Sequence, residues 1–223
     1  MGLHQVGSPG GAVALPDDGG PLSYTVAAAQ GPVRLRYIAP PDHLRAYFGS
    51  LYLFSVSADH YTDITRADCP QLRIMLSGAG EYHFQDGAVV PTPDLCLLGP
   101  TSGATRFALN GPARVLGVSL LPAGWVSLHD QDASRLADRL RDLTEDRGGA
   151  FAAVRDRLRD MDDGDADAMA DLVWTLLGRI VQPLRKANWD LLAAVDAWLV
   201  GEGSPRIEAL AEATGLSQRQ LAR

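Results

Sequence analysis

The hydrophobic pattern of this 223-residue chain changes its period once, close to Pro122. Before that point, apolar and polar residues alternate in short runs that end at glycine-rich turns, as they do over residues 33–38. After it, leucines and other apolar residues recur every three or four positions, which is the period of an amphipathic helix. This order predicts an α+β chain in which a β region comes first and helices follow.

The β region is predicted from runs rich in β-branched and aromatic residues, which suit a half-buried strand. The predicted strands cover residues 33–38, 51–56, 72–76, 81–84, 95–98, 105–109 and 114–120. Asp86-Gly87 and Asn110-Gly111 are predicted as two-residue hairpin turns, because both positions of each pair tolerate a positive φ. Short strands at close spacing, with no helix between them, favour a sandwich or a small barrel and leave the strand order open.

The helical part is predicted from apolar spacing and from breaks between the periodic segments. The predicted helices cover residues 132–146, 151–158, 165–181 and 188–200. Residues 1–22 are rich in glycine and proline and are predicted to form a flexible tail. We therefore divide the chain into a tail (1–22), a β-plus-helix domain (23–186) and a C-terminal helical domain (187–223).

Composition limits the class of protein. An apolar fraction of 46% and a net charge of −7 are typical of a globular chain with its own core, and the negative charge disfavours a surface built mainly for nucleic acid. No run approaches the roughly 18 apolar residues of a membrane span, and no secretion signal is apparent. Cys69 and Cys96 are too few for a disulfide framework, although a single bridge is an alternative to two free thiols. A reduced, cytoplasmic protein without a membrane partner is the simplest interpretation.

The C-terminal run from Ser204 to Arg223 has the pattern of a helix-turn-helix. Ser204 before Pro205 suits a helix start, and Gly215 suits the position where a helix ends and the chain turns. Ser217 then suits the cap of a second helix. A short glycine-containing turn between two helices is typical of DNA-binding proteins, although two helices of any bundle can share it.

This run resembles the DNA-binding region of the AraC family of bacterial regulators. The matching positions are Ala211, Gly215, Leu216, Ser217, Leu221 and Arg223. The resemblance implies a cupin-like, effector-sensing β domain, trailing dimerisation helices and a cytoplasmic transcription regulator. It also implies Ser217, Gln218, Arg219 and Arg223 as DNA-contacting residues.

The chain departs from the family in one respect, because AraC-type modules carry two helix-turn-helix units and this sequence stops within the first. From residue 186 onward, four basic residues are outnumbered by five acidic ones. We therefore expect weak or no DNA binding by this chain, with DNA as the partner of the full-length form. A shortened regulator that acts through mixed dimers is a further alternative.

A pocket inside such a barrel would be lined by inward side chains of alternating residues. The candidate ligand-binding residues are Arg73, Tyr82, His83, Arg106 and Trp125. If the small-molecule effector is an acid, Arg73 or Arg106 would pair with its carboxylate. The stripe for a homodimer contact consists of Met169, Leu172, Val173, Leu176 and Ile180.

A metal-dependent cupin-fold enzyme, such as an isomerase or dioxygenase, is the alternative from another class. Such enzymes hold their metal with several histidines and a carboxylate. None of the five histidines here forms a His-x-His pair, and only His83 lies near a carboxylate, Glu81, on a predicted strand. We therefore predict no metal, no cofactor and no catalytic residue.

Overall fold

A computed structural model describes residues 23–27, 31–129, 132–144, 148–201 and 206–221 of the chain. The predicted tail, Ser204, Pro205 and Arg223 lie outside these ranges. The strands are β1 (Ser23–Ala27), β2 (Val33–Ile38), β3 (Phe48–Val56), β4 (His60–Thr65), β5 (Gln71–His83), β6 (Val89–Pro91), β7 (Leu95–Leu98), β8 (Thr105–Leu120) and β9 (Leu140–Asp142). The helices are α1 (Pro122–Leu128), α2 (Gly148–Arg159), α3 (Ala166–Ile180), α4 (Lys186–Val200), α5 (Ile207–Thr214) and α6 (Gln218–Leu221).

The strands form one antiparallel sheet of order β1-β2-β3-β8-β5-β7-β9, with β4 beside β8 and β6 beside β5. The first part of β8 pairs with β4, and its last part pairs with β3. The long strand β5 pairs with β7 at one end and with β6 at the other, and its register against β8 shifts twice between Met75 and Ala79. Side chains from distant strands therefore reach a common cavity, as in the predicted barrel or sandwich, and the α+β prediction is confirmed.

The main hydrophobic core lies between one face of this sheet and the helices α1 to α3. Alternate residues of β5, Leu72, Ile74 and Leu76, are buried in it, and α3 contributes its apolar stripe. The same alternation that predicts the strand thus decides which face the helices cover.

Three of the sequence predictions need correction. The predicted strands 72–76 and 81–84 are parts of the single strand β5, and Asn110-Gly111 is not a hairpin but lies inside the continuous strand β8. Residues 132–146 do not form a helix. Their described part has a short 3₁₀ turn followed by β9, which pairs with β7. Leu143 is buried there, so the leucine spacing reflects core contacts of an irregular segment instead of a helical face.

The C-terminal segment consists of α5, a short turn at Gly215 and α6. Gly215, directly after α5, has a left-handed backbone with φ of 69°, which favours glycine. The Ser217 hydroxyl accepts a hydrogen bond from the Gln220 amide at 3.3 Å, and the Gln220 side-chain oxygen accepts one from the Ser217 amide at 2.9 Å. This reciprocal capping fixes the start of α6.

Within the described ranges, every helix is too short or too polar to cross a bilayer. Cys69 is exposed and Cys96 is buried, and both are free thiols.

Candidate ligand-binding cavity

A cavity of about 210 Å³ lies among side chains from β2, β3, β4, β5, β7 and β8. Its aromatic lining residues are Tyr37, Tyr52, Phe54, Tyr82 and Phe107. Its other lining residues include Leu35, Ile64 and Leu98, the carboxylates Asp63 and Asp68, and the cation Arg73. The cavity is therefore mostly apolar and carries a few convergent polar groups, which is the usual character of a small-molecule site.

Arg73 is held between two tyrosines. Its guanidinium carbon lies 5.6 Å from the centre of the Tyr52 ring and 5.2 Å from the centre of the Tyr82 ring. Its Nε donates a hydrogen bond of 2.6 Å to the Tyr52 hydroxyl. Both ring faces attract the positive charge, so the guanidinium is positioned by neutral groups.

A hydrogen-bond chain continues from Tyr52 away from the arginine. The Tyr52 hydroxyl donates to Gln71 Oε1 at 2.9 Å, and Gln71 Nε2 donates to Asp68 Oδ2 at 2.6 Å. Burial of the phenol raises the pKa of Tyr52, although the charge of Arg73 acts in the opposite direction. Tyr52 therefore stays protonated at neutral pH, and its proton is committed to Gln71.

Gly117 makes room for the Tyr52 ring. The two residues are directly paired between β3 and β8, and a Cβ at position 117 would lie 2.2 Å from the tyrosine ring. Any side chain at this position would push Tyr52 away from Arg73, so the placement of the arginine depends on a glycine of a neighbouring strand.

The hydroxyl of Tyr82 is buried and has no hydrogen-bond partner in the described part of the chain. The residue is 2% exposed, and its ring packs against Phe84 and Phe107. A buried phenol normally finds a partner, so this donor is an exception that calls for an explanation.

The structure brings together two of the five residues predicted for the ligand site, Arg73 and Tyr82. His83 faces away from the cavity and bonds Glu81 at 2.8 Å, while Arg106 is exposed. Trp125 is buried in the helix-side core, where it stacks on His129. These three residues do not line the cavity, and Tyr52, Gln71 and Gly117, which position Arg73, were not predicted.

The predicted dimerisation stripe lies mostly inside the protomer. Met169, Val173 and Leu176 are buried in the main core, so their side chains pack on this chain's own sheet. Leu172 and Ile180 are partly buried against the same core. A second chain would therefore have to contact the outward face of α3. The buried residues Met169, Val173 and Leu176 are unsuited to such a contact.

The predicted DNA-contacting residues lie at the start of α6. Gln218 and Arg219 are exposed, and Ser217 is engaged in the helix cap. Arg223 lies outside the described residues. The side chains of residues 218 and 219 are thus free of the core, as a nucleic-acid contact requires.

A surface groove and the grouping of possible metal ligands also bear on ligand binding. A surface groove of about 880 Å³ lies between the 38–45 segment and α3, and its charged lining residues include Asp171 and Arg179. In the described ranges, no three His, Cys, Asp or Glu side chains are grouped closely enough to hold a metal ion.

No protein-family model and no curated protein matches the chain. The AraC-like transcriptional activator CuxR is similar over 90% of this chain and 79% of its own, with 12% identity and a TM-score of 0.42. The Streptomyces nucleoside dehydratase Pac13 is similar over 44% of this chain and 75% of its own, with 16% identity and a TM-score of 0.30. A predicted oxalate decarboxylase from Thermotoga maritima is similar over 49% of this chain and 100% of its own, with 15% identity and a TM-score of 0.33. These values assign neither a family nor an activity.

Proposed function

We propose that the chain is the effector-sensing and dimerising part of an AraC-type transcriptional regulator. The observation that carries this proposal is the geometry of residues 207–221, where the left-handed Gly215 and the Ser217–Gln220 cap build the turn that the AraC-like sequence run implies. In this proposal, the β region senses a small molecule and thereby controls sequence-specific DNA binding through the C-terminal helix-turn-helix. It acts in the cytoplasm.

The cavity supports sensing better than catalysis. Arg73 is fixed by Tyr52 and by two aromatic ring faces, which is suited to holding a ligand of opposite charge. Tyr52 is kept protonated and donates its proton within the protein, so it is a poor general base. We accordingly propose a binding protein, with neither a cofactor nor an enzymatic reaction.

The chain itself is proposed to be a homodimer with weak or no affinity for DNA. In the described residues 206–221, the two basic residues Arg206 and Arg219 are balanced by the two acidic residues Glu208 and Glu212. Such a balance cannot displace the counterions of a phosphate backbone to a useful extent. In the full-length form, ligand binding in the cavity would change DNA affinity by changing the placement of the helix-turn-helix.

Native mass spectrometry of the purified 223-residue protein tests this proposal. We expect a dimer of the 23.8 kDa chain, with additional mass from a retained small molecule that is lost on denaturation. A matched gel-shift assay with candidate promoter DNA is expected to show no tight complex. A strict monomer at high concentration that carries a stoichiometric transition metal would contradict the proposal and favour a metal-dependent enzyme.

A further inference from the structure

The terminal nitrogens of Arg73 are an uncommitted positive charge at the cavity. Only Nε of this guanidinium makes a hydrogen bond, to Tyr52, and no carboxylate of the described residues forms an ion pair with it. The two cavity carboxylates are committed elsewhere. A buried or half-buried charge without a counter-ion is unfavourable, so an anionic group bound at Arg73 would be stabilised there.

The carboxylates Asp63 and Asp68 have donors on both oxygens. Asp68 accepts from Gln71 Nε2 at 2.6 Å and from the Cys69 amide at 2.7 Å. Asp63 accepts from the Tyr61 hydroxyl at 2.7 Å and from the Ile64 amide at 2.7 Å. Neither has to turn towards Arg73 to be satisfied, so the arginine charge remains available to a ligand.

The Tyr82 ring lies beside this charge, and its hydroxyl is a second donor without a partner among the described residues. The ring centre lies 5.2 Å from the Arg73 guanidinium carbon, and the hydroxyl oxygen is buried. An acceptor on a bound ligand would relieve the cost of leaving this group unpaired. A charged acceptor that contacts both residues would therefore satisfy two groups at once.

The rest of the lining favours a flat, apolar body. Phe54 and Phe107 pack edge to face at 6.1 Å, and Leu35, Ile64 and Leu98 add aliphatic surface. The volume of about 210 Å³ exceeds the roughly 150 Å³ of a cavity that accommodates benzene in another protein. One aromatic ring with a single acidic group fits this space.

We propose that the cavity binds the carboxylate of a small aromatic acid, with the terminal nitrogens of Arg73 and the Tyr82 hydroxyl as its donors. Benzoate is the simplest such ligand. The planar guanidinium matches a carboxylate with two parallel hydrogen bonds, and the aromatic walls take the ring. This inference rests on the proposed sensing function, for which it names the chemical class of the effector.

Isothermal titration of the 223-residue protein with benzoate, benzamide, cyclohexanecarboxylate and inorganic phosphate tests the class. Benzoate is expected to bind saturably and at least about tenfold more tightly than benzamide, which has the same shape without the charge. Cyclohexanecarboxylate is expected to bind more weakly than benzoate because it is not flat. Equal binding of benzoate and benzamide, or tighter binding of phosphate, would overturn the proposal.

Three variants assign the binding to the named groups. Arg73→Gln is expected to weaken benzoate binding at least about tenfold, whereas Arg106→Gln, an exposed arginine of β8, is expected to leave it unchanged. Tyr82→Phe removes only the unpartnered hydroxyl, so the ligand-free protein should be at least as stable as the wild type while benzoate binds several-fold more weakly. This last variant keeps the test decisive even if Arg73→Gln fails to fold. Unchanged benzoate affinity in a folded Tyr82→Phe variant removes Tyr82 from the site.

The outcomes also separate this inference from the proposed function. If benzoate does not bind but native mass spectrometry shows another retained small molecule, the aromatic-acid class is wrong and the sensing function stands. If the protein is a monomer that retains and binds no small molecule, both fail.

Discussion

The β region and the C-terminal helices differ in how much of their surface they bury. The sheet and α1 to α3 share one continuous hydrophobic core, which includes fully buried residues such as Leu51, Leu116 and Leu177. In the described parts of α4, α5 and α6, Leu210 is the one buried residue, and Leu199 and Val200 of α4 are 57% and 84% exposed.

The attachment of α4 to the rest of the chain is correspondingly small. The Trp189 ring contacts the Tyr47 ring edge to face at 5.4 Å. The Lys186–Asp190 ion pair lies within α4 at the surface, so it does not attach the helix to the rest of the chain. An aromatic pair contributes about 1 kcal/mol beyond the area it buries. The β region therefore has a fixed shape, whereas we expect that a small free energy is enough to change the placement of the C-terminal helices.

The largest expected effect comes from removing a core side chain of the β region. Leu116→Ala is expected to lower the free energy of unfolding by about 2–5 kcal/mol, because it leaves a cavity in the main core. Leu199→Ala, the same change on exposed α4, is expected to have an effect of less than about 0.5 kcal/mol. Urea unfolding followed by circular dichroism measures both changes in free energy. Similar losses in the two variants would contradict the difference in buried surface between the β region and α4.

An effect of intermediate size is expected in the pH dependence of the free energy of unfolding, and it comes from a buried thiol of the β region. Burial raises the pKa of the Cys96 thiol from 9.0 to about 11. Between these values the unfolded chain loses this proton and the folded chain keeps it. The contribution of this thiol to the free energy of unfolding is therefore constant below pH 9. It should fall by about 1.4 kcal/mol per pH unit above pH 9 and level off above pH 11.

Urea titrations of the wild type and of Cys96→Ala at pH 8 and pH 10 isolate this contribution, since other ionising groups are common to both proteins. The alanine variant is expected to be less stable at pH 8 and to lose less stability on going to pH 10. The exposed Cys69→Ala variant should keep most of the wild-type slope. An identical slope in wild type and Cys96→Ala would show that the thiol does not contribute.

The smallest effect is expected at the turn between α5 and α6. Gly215→Ala places a Cβ in open space, so its only cost is the left-handed backbone, about 1 kcal/mol. Gly149→Ala, whose Cβ also meets nothing but whose φ is not positive, is expected to be neutral or slightly stabilising. Hydrogen exchange should show lost protection at residues 207–221 in the first variant, with the β region unchanged. Loss of protection in the sheet would mean that the two regions unfold as one.

The sequence was sufficient where the local pattern and the tertiary structure agree. The alternation at residues 33–38 and the helical stripe at 165–181 correspond to β2 and α3, because in both cases one face packs on the core. The Asn110-Gly111 prediction was wrong because β8 continues through this pair, although the pair is typical of a hairpin. Asn110 pairs with His60 of β4 and with Ala79 of β5. Tertiary pairing thus outweighs a local turn signal.

The candidate site was predicted only in part for a related reason. Alternation shows that a side chain is on one face of a strand, but which face is inward depends on register. Arg106 was therefore a candidate from the sequence, although it does not line the cavity. Tyr52 carried a usable signal, since it lies two positions before Phe54 in an aromatic strand. Its contact with Arg73 depends on Gly117 of a different strand and was not accessible from local sequence.

The double register shift of β5 also determines which side chains of the strand point into the cavity. Arg73 and Tyr82 are an odd number of residues apart, so in a regular strand they would point to opposite faces. Both nevertheless line the cavity, because the irregularity between Met75 and Ala79 exchanges the inward and outward positions. Inserting or deleting one residue there would keep every side chain of the site in the sequence and yet turn Tyr82 out of it. The length of this short stretch is therefore as much a part of the candidate site as the residues that line it.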